Sequence, residues 1–190
     1  MFMRRLYFLF IISLVSLTIQ AQEEHFTFMG IPIDGNISVF EKQLKKKGFI
    51  RDKRFNSVPK ELFPHLRIFK GSFADESNVT LSVQFDKISK IVHSLNVIID
   101  CSYKGEMIRK YDSFYSMYKE KYADSYFKEF QTDRKDGVSI GVASKNMKSI
   151  IGMIFLAKDN VPNTDDFKIT IEYTDTSNFN NSQSNNLDDL

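Results

Sequence analysis

The sequence predicts an α+β domain, in which an antiparallel sheet of about six to eight strands carries two helices packed on one face. Three observations lead to this fold class. Several segments alternate apolar and polar residues and are joined by short polar connections, as in antiparallel hairpins. Two other segments place their apolar residues on one helical stripe. A chain of 190 residues, 42% of them hydrophobic, is long enough to bury a core of its own.

The order of the predicted elements is similar in the two halves of the chain. Each helix precedes three or four strands, and the second helix begins about 65 residues after the first. This order suggests a helix-then-strands pseudo-repeat at the level of architecture, without a repeat of individual residues. The sequence leaves open whether the halves form one continuous sheet or two small units.

Residues 1–21 have the pattern of a secretory signal peptide. Arg4 and Arg5 form the positive start, 6–19 is an apolar run, and Ala21 is a small residue suited to the cleavage position. The apolar run is shorter than the roughly 20 residues that a membrane helix needs, so an uncleaved anchor is the less favoured alternative. We therefore expect an exported protein, periplasmic or secreted, with no transmembrane span in the mature chain. Its basic and acidic residues would then be equal in number.

The first predicted elements are an extended lead-in and a helix. Residues 22–36 alternate apolar residues around a glycine and a proline, which predicts a short extended segment. A helix is predicted over 39–47, with Ser38 beginning a capping-box pattern and Gly48 at the position where a left-handed residue ends a helix. Phe49 is then expected to contact the leucine of the last turn.

Three strands are predicted in the rest of the first half, at 66–74, 78–86 and 90–99. The second of them shows the clearest alternation of the chain. Its residues predicted to face inward are Val79, Leu81, Val83 and Phe85. The polar connections between these strands have the length of hairpin loops, so the strands are expected to be antiparallel neighbours.

The second half repeats the pattern of a helix followed by strands. A helix is predicted from about 103 to 122, because its apolar and aromatic residues fall within an arc of about 120°. Candidate strands follow at 126–131, 137–143, 149–157 and 166–174. We therefore expect a single domain over 22–174. Residues 175–190 are mostly Asn, Ser and Asp, which predicts a disordered tail.

Composition excludes several classes of function. One cysteine cannot form an intrachain disulfide or a thiolate metal cage, and nearly balanced charge argues against a nucleic-acid binder. The three histidines lack metal-ligand spacing. An EF-hand-like start at Asp34 fails because Val39 and Lys45 replace the required glycine and glutamate. We expect no metal, no cofactor and no nucleic-acid partner.

Two residues are candidate nucleophiles. Ser139 lies in a G-x-S-x-G motif at 137–141, but the alternation around it predicts a strand and not the strand-to-helix turn that this motif needs. Cys101 is about 26 Å from His93 if both lie on one extended strand, which is too far for a dyad. His93 itself is expected to be a buried histidine on the inward face of its strand. We therefore expect no catalytic residues, with a hydrolase assembled only in three dimensions as the alternative.

The segment 42–60 is strongly basic, with Asp52 as its one acidic residue. Such a segment is either an electrostatic contact surface for an acidic partner or a solvated helix face and loop. The candidate residues for partner binding in this segment are Lys42, Lys45, Lys46, Lys47, Arg51, Lys53 and Arg54. Six of the eight tyrosines lie between Tyr103 and Tyr126, and their helical stripe favours core packing over a carbohydrate platform.

Short motifs in the first half of the chain carry a resemblance. The stretches FMGIPIDG at 28–35, KKGF at 46–49 and FKGSF at 69–73 resemble the opening of small exported proteins of unknown function from anaerobic Gram-negative bacteria. The resemblance covers about residues 26–100. It implies an exported α+β domain and supplies no activity and no functional residues.

These observations together predict a non-enzymatic exported binding module. It would present a sheet face or the basic segment to an envelope protein or an anionic polymer such as a glycan. The alternatives are the hydrolase mentioned above and a structural surface component that associates with itself.

Overall fold

The structure is a computed structural model that describes residues 24–52, 65–131, 135–145, 147, 149–160 and 166–187. The predicted signal peptide at 1–21 lies outside these residues. The helices are α1 (Ile37–Lys46), α2 (Lys104–Lys121) and α3 (Thr176–Leu187). The strands are β1 (Thr27–Phe28), β2 (Ile31–Pro32), β3 (Ile50–Arg51), β4 (Leu66–Phe73), β5 (Glu76–Phe85), β6 (Val92–Cys101), β7 (Tyr126–Gln131), β8 (Lys135–Ala143), β9 (Ile150–Asn160) and β10 (Phe167–Asp175). No described helix is long and apolar enough to cross a membrane.

Strands β3 to β10 form one continuous antiparallel sheet, which confirms the predicted α+β class. The strand order is β3-β4-β5-β6-β10-β9-β8-β7. Each half of the chain contributes four strands in sequence order, and the two sets meet where β6 pairs with β10. The question that the sequence left open is therefore answered, because the halves share one sheet. The helix-then-strands order is also present, since α1 precedes β3–β6 and α2 precedes β7–β10.

The lead-in is a small hairpin rather than a single extended segment. Phe28 pairs with Ile31, and the two-residue loop between them has positive φ at both Met29 and Gly30. This is the loop geometry of type I′ hairpins, whose twist matches that of the strands they join. The hairpin places Phe26 and Phe28 in the core, where each is at most 3% exposed.

The core lies on the helix-bearing face of the sheet. Alternate residues of neighbouring strands point to this face and are fully buried, including Phe69, Leu81, Val97, Ile171 and Leu156. Helix α2 packs across β6, β10 and β9, and the apolar side of α1 joins the same cluster. The period-two patterns of the sequence are thus explained by one buried face.

The C-terminal segment corrects a prediction. Residues 175–190 were expected to be disordered, but 176–187 form α3. The helix is held by polar contacts that its composition does not reveal. Asp175 accepts the backbone N–H of Asn178, and Asn178 Nδ2 donates to the Ile33 carbonyl at 2.9 Å. Phe179 also packs edge-on against His93. Residues 188–190 lie outside the described part.

Two buried tyrosines join α2 to the sheet through their hydroxyls. Tyr118 and Tyr173 are hydrogen-bonded to each other, and both are less than 5% exposed. Burial raises the pKa of both hydroxyls, although the hydrogen bond opposes this rise at Tyr118, so both stay neutral at ordinary pH. The pair therefore lets two aromatic side chains enter the core with their polar atoms satisfied.

We expect Tyr118→Phe to lower the free energy of unfolding by about 1–3 kcal/mol, because the Tyr173 hydroxyl then stays buried without its partner. The double variant Tyr118→Phe/Tyr173→Phe should cost less than the sum of the two single changes, since it removes both polar groups. Urea unfolding of the four proteins measures this coupling. Additive costs would show that the two hydroxyls do not depend on each other.

Candidate functional site

The basic residues of the first half lie around the C-terminal end of α1, and local signals place that end. Helix α1 begins one residue after Asn36, whose side chain accepts the Ser38 N–H, so Asn36 and not Ser38 is the N-cap. At the other end Gly48 has a φ of +90°, as predicted. The Phe49 N–H donates to the Leu44 carbonyl at 3.1 Å, and the Gly48 N–H donates to the Lys45 carbonyl at 3.1 Å. These two bonds form a Schellman stop, and the side chains of Leu44 and Phe49 are both buried in the core.

Glu41 is the centre of the polar contacts at this end of the molecule. Its carboxylate is 3.1 Å from Lys45 Nζ and 3.9 Å from Arg51 Nη1, and it also accepts a hydrogen bond from Arg67. Glu41 is only 8% exposed, and it draws cations from α1, β3 and β4 together. We call this group, with Lys42, Lys46 and Lys47, the basic surface.

The pKa of Glu41 is lowered from its usual value of 4.5. Burial opposes ionisation of the carboxyl, but the hydrogen bonds from Lys45 and Arg67 outweigh it. A carboxyl whose pKa is lower in the folded chain stabilises the fold above its unfolded pKa. That stabilisation is lost as the pH falls through the folded value.

We expect Glu41→Gln to destabilise the protein by about 1–2 kcal/mol at pH 7, because three cations then lose their shared carboxylate. The difference from the wild type should shrink as the pH falls below about 4.5, the usual pKa that the carboxyl has in the unfolded chain, and through its lower pKa in the folded chain. Urea unfolding at pH 7 and at pH 3.5 measures both effects. A difference that is the same at the two pH values would contradict the assigned role of the charge.

The three remaining lysines of the basic surface are free of ion pairs within the described residues. Lys42, Lys46 and Lys47 are exposed. Lys42 and Lys46 are four residues apart on α1 and therefore lie on the same outer side of the helix. The helix dipole accounts for a cation in the last turn such as Lys46, but its effect does not reach back to Lys42.

The structure brings together five of the seven residues chosen from the sequence. Lys42, Lys45, Lys46, Lys47 and Arg51 all belong to the basic surface. Lys53 and Arg54 lie outside the described residues. Arg67 is a member that the sequence reasoning missed. The available signal was its position in β4, because Arg67 is two residues before Phe69 and therefore lies on the same inward face of the strand.

The two candidate nucleophiles lie in structural positions. Ser139 is in the middle of β8, as the alternation predicted, and its hydroxyl donates to the Lys128 carbonyl at 3.2 Å. Cys101 is 8% exposed at the end of β6, and burial raises the pKa of its thiol. A raised pKa leaves little thiolate, which is the reactive form of a cysteine.

His93 takes part in packing and His25 in local polar contacts. His93 is buried on β6, as predicted, and burial lowers its pKa although Asp86 opposes the shift. His25 Nδ1 lies 3.2 Å from Asp175 and its Nε2 lies 3.6 Å from Asp34, so it connects the lead-in to β10. Among the residues that the structure describes, no group of three or more His, Cys, Asp or Glu side chains is arranged to hold a metal ion.

Comparisons with protein families, with curated proteins and with solved structures found no match to this chain. The resemblance of residues 26–100 to small exported proteins stays a prediction for that reason. The fold and the geometry of its surfaces are therefore the basis on which a function can be proposed.

Proposed function

We propose that this protein is an exported, non-enzymatic binding module that holds an anionic polymer of the cell envelope on its basic surface. The observation that carries the proposal is the set of three exposed lysines, Lys42, Lys46 and Lys47. They stand beside a cluster in which Glu41 already holds Lys45, Arg51 and Arg67. Export is the expectation from residues 1–21.

The polar contacts of Glu41 support this proposal by fixing the shape of the surface. One carboxylate neutralises only part of the positive charge around it, and it ties α1 to β3 and β4. The lysines of α1 are therefore carried on an anchored helix and not on a loose segment. A preorganised array of cations loses less conformational freedom when an anion binds.

The chemistry of lysine favours a polymer over a protein as the partner. Lysine presents a compact, strongly hydrated charge on a flexible stem, which suits repeated anionic groups whose spacing varies. Lysine is also depleted in the buried centres of protein interfaces. An acidic protein surface is therefore the less favoured partner, and the test below distinguishes the two.

The sheet face that points away from the core gives less reason to expect a particular partner. Its central residues include Thr80, Asn96 and Thr170, which are uncharged and half-buried. Glu172 beside Asn96 and Lys70 beside Thr80 carry opposite charges, so this face favours neither an anion nor a cation by charge. The charge of the basic surface, by contrast, favours an anionic partner.

The proposal is tested by using the protein as bait on envelope extracts at low and high salt. The basic-surface variant carries Lys42→Glu, Lys46→Glu and Lys47→Glu. The matched control carries Lys87→Glu, Lys104→Glu and Lys128→Glu, three exposed lysines elsewhere, so that both variants change the net charge equally. Bound glycans and proteins are identified separately.

We expect the wild type and the control to retain an acidic glycan at low salt and to release it at high salt, because screening weakens exposed charge contacts. The basic-surface variant should retain none. Retention of the same material by all three proteins would refute the role of the basic surface. Recovery of an acidic protein without glycan would replace the polymer by a protein partner.

A further inference from the structure

An open cleft lies at the far edge of the sheet from the basic surface, between α2 and the strands β7, β8 and β9. Its volume is about 470 Å³. The aromatic and charged side chains of its lining are Tyr111, Asp112, Tyr115, Glu129, Asp136 and Lys158. Strand β3 is at one edge of the sheet and β7 is at the other, so the cleft and the basic surface are separate sites.

The strand residues of the cleft depart from the pattern that builds the core. Asp136 and Lys158 are paired across β8 and β9, two residues from the buried pair Val138 and Leu156, and therefore point to the same helix-bearing face. Glu129 pairs with Val138 and points there too. Folding alone favours apolar residues at these positions. Charged residues that interrupt such a pattern are typical of functional sites.

The aromatic side of the cleft comes from α2. Tyr111 and Tyr115 are one turn apart, with nearly parallel rings whose centroids are 6.3 Å from each other. Burial, with a smaller effect from Asp136, raises the pKa of Tyr111 to about 12, so its ring stays neutral. Neutral tyrosine rings attract cations to their faces through the ring quadrupole.

The protein's own lysine shows which chemical group fits this cleft. Lys158 Nζ lies 4.5 Å from the Tyr111 ring centroid and 3.0 Å from Asp136 Oδ2. An ammonium group is thus held between an aromatic face and a carboxylate. Asp112 and Glu129 add two further carboxylates that have no ion-pair partner among the described residues, so the charged lining is acidic overall.

We propose that this cleft binds an alkylammonium group, which displaces the ammonium of Lys158 from the Tyr111 face and Asp136. The ligand is either a free polyamine or a lysine side chain of a peptide, since both offer the same chemistry. Lys158 acts as a tethered competitor that occupies the site when no ligand is present. The proposal does not depend on the basic surface, because it concerns the opposite edge of the sheet.

The first experiment removes the competitor and supplies the ammonium from solution. The Lys158→Ala variant and the wild type are titrated with n-butylammonium, and tyrosine ring signals are followed by NMR. We expect the variant to bind about tenfold more tightly than the wild type, because a tethered ammonium competes at a millimolar effective concentration. The neutral analogue n-butanol should leave the signals unchanged. Equal affinities for the two proteins, or equal binding of n-butanol, would overturn the proposal.

A second pair of variants tests the aromatic face in the Lys158→Ala background. Tyr111→Phe keeps the ring and should keep n-butylammonium binding, whereas Tyr111→Leu should weaken it roughly threefold to fivefold. Thermal unfolding checks that each variant is folded. Equal binding by the Phe and Leu variants would remove the cation–aromatic contact from the account.

The last comparison changes neither Tyr111 nor Asp136. Wild type and Glu129→Gln, a change at an exposed carboxylate, are titrated with spermidine and with trilysine. Tighter binding of spermidine identifies a polyamine site, and tighter binding of trilysine identifies a peptide site. Either result supports the proposal if Glu129→Gln weakens the binding of the preferred probe severalfold. Failure of both probes to bind the wild type and Lys158→Ala would overturn it.

Discussion

Replacing Asp175 by alanine is expected to lower the free energy of unfolding by about 3 kcal/mol. Asp175 is 1% exposed and accepts two backbone N–H groups, that of Phe26 at 2.9 Å and that of Asn178 at 3.0 Å. His25 adds a third contact at 3.2 Å. The carboxylate therefore joins the lead-in, β10 and the first turn of α3, and alanine would leave two buried donors without an acceptor.

Urea unfolding measures this loss, with Asp166→Ala as the control. Asp166 is also an aspartate and also ion-paired, but its side chain is 52% exposed beside Lys168, so its removal should cost less than about 1 kcal/mol. Removing residues 176–190 gives a second result, because it deletes the Asn178 amide that donates to Ile33. If both changes left stability unaltered, the tail would be dispensable, as the disorder prediction implied.

Replacing Phe28 by alanine is expected to cost about 3–5 kcal/mol, the range for deleting a buried aromatic side chain. Phe28 is 1% exposed, and its ring centroid lies 5.4 Å from that of Phe73 and 5.2 Å from that of Tyr173. The side chain therefore connects the lead-in hairpin to both halves of the sheet. Its loss would leave a cavity where these halves meet.

The matched control for this change is Phe28→Leu, which keeps most of the apolar volume and should cost clearly less. Thr27→Ala, at the neighbouring exposed position of the same strand, should change the stability by less than about 0.5 kcal/mol. Thermal and urea unfolding of the three variants give the comparison. A cost below about 1 kcal/mol for Phe28→Ala would show that the hairpin is not part of the core.

The sheet was predictable because a strand that is buried on one face alternates apolar and polar residues along the sequence. Val79, Leu81 and Val83 alternate with polar residues, and each is buried on the face that the alternation indicated. The bounds of α2 and β7 agree with the prediction to within a residue. Pairing between the halves was not predictable, since the contact of β6 with β10 depends on the whole topology and leaves no local signal.

Helix α3 was missed because its stability does not come from an apolar stripe. The segment after Asp175 consists mostly of Asn and Ser, residues that are usually read as loop or disorder. What holds it is a cap from Asp175 and a hydrogen bond from Asn178 to a carbonyl far away in the sequence. Such partners are visible only in the folded chain.

The candidate site was predictable only in part, because some of its residues are far apart in the sequence and meet only in the folded chain. The run of Lys45, Lys46 and Lys47 gives the positive charge in the sequence itself. The role of Glu41 was not visible, because its partners Arg51 and Arg67 come from two different strands. The tyrosine stripe of α2 was expected to pack in the core, and Tyr118 does, whereas Tyr111 also lines the acidic cleft.

The most direct measurement of the central claim is the affinity of the protein for a defined polyanion over a range of salt concentrations. Long-chain polyphosphate is titrated into the wild type, the basic-surface variant and the matched control. The account predicts that wild type and control bind with an affinity that falls steeply as salt increases, and that the basic-surface variant binds at least about tenfold more weakly at low salt. Equal affinity of the basic-surface variant and the wild type, or an affinity that does not change with salt, would contradict it.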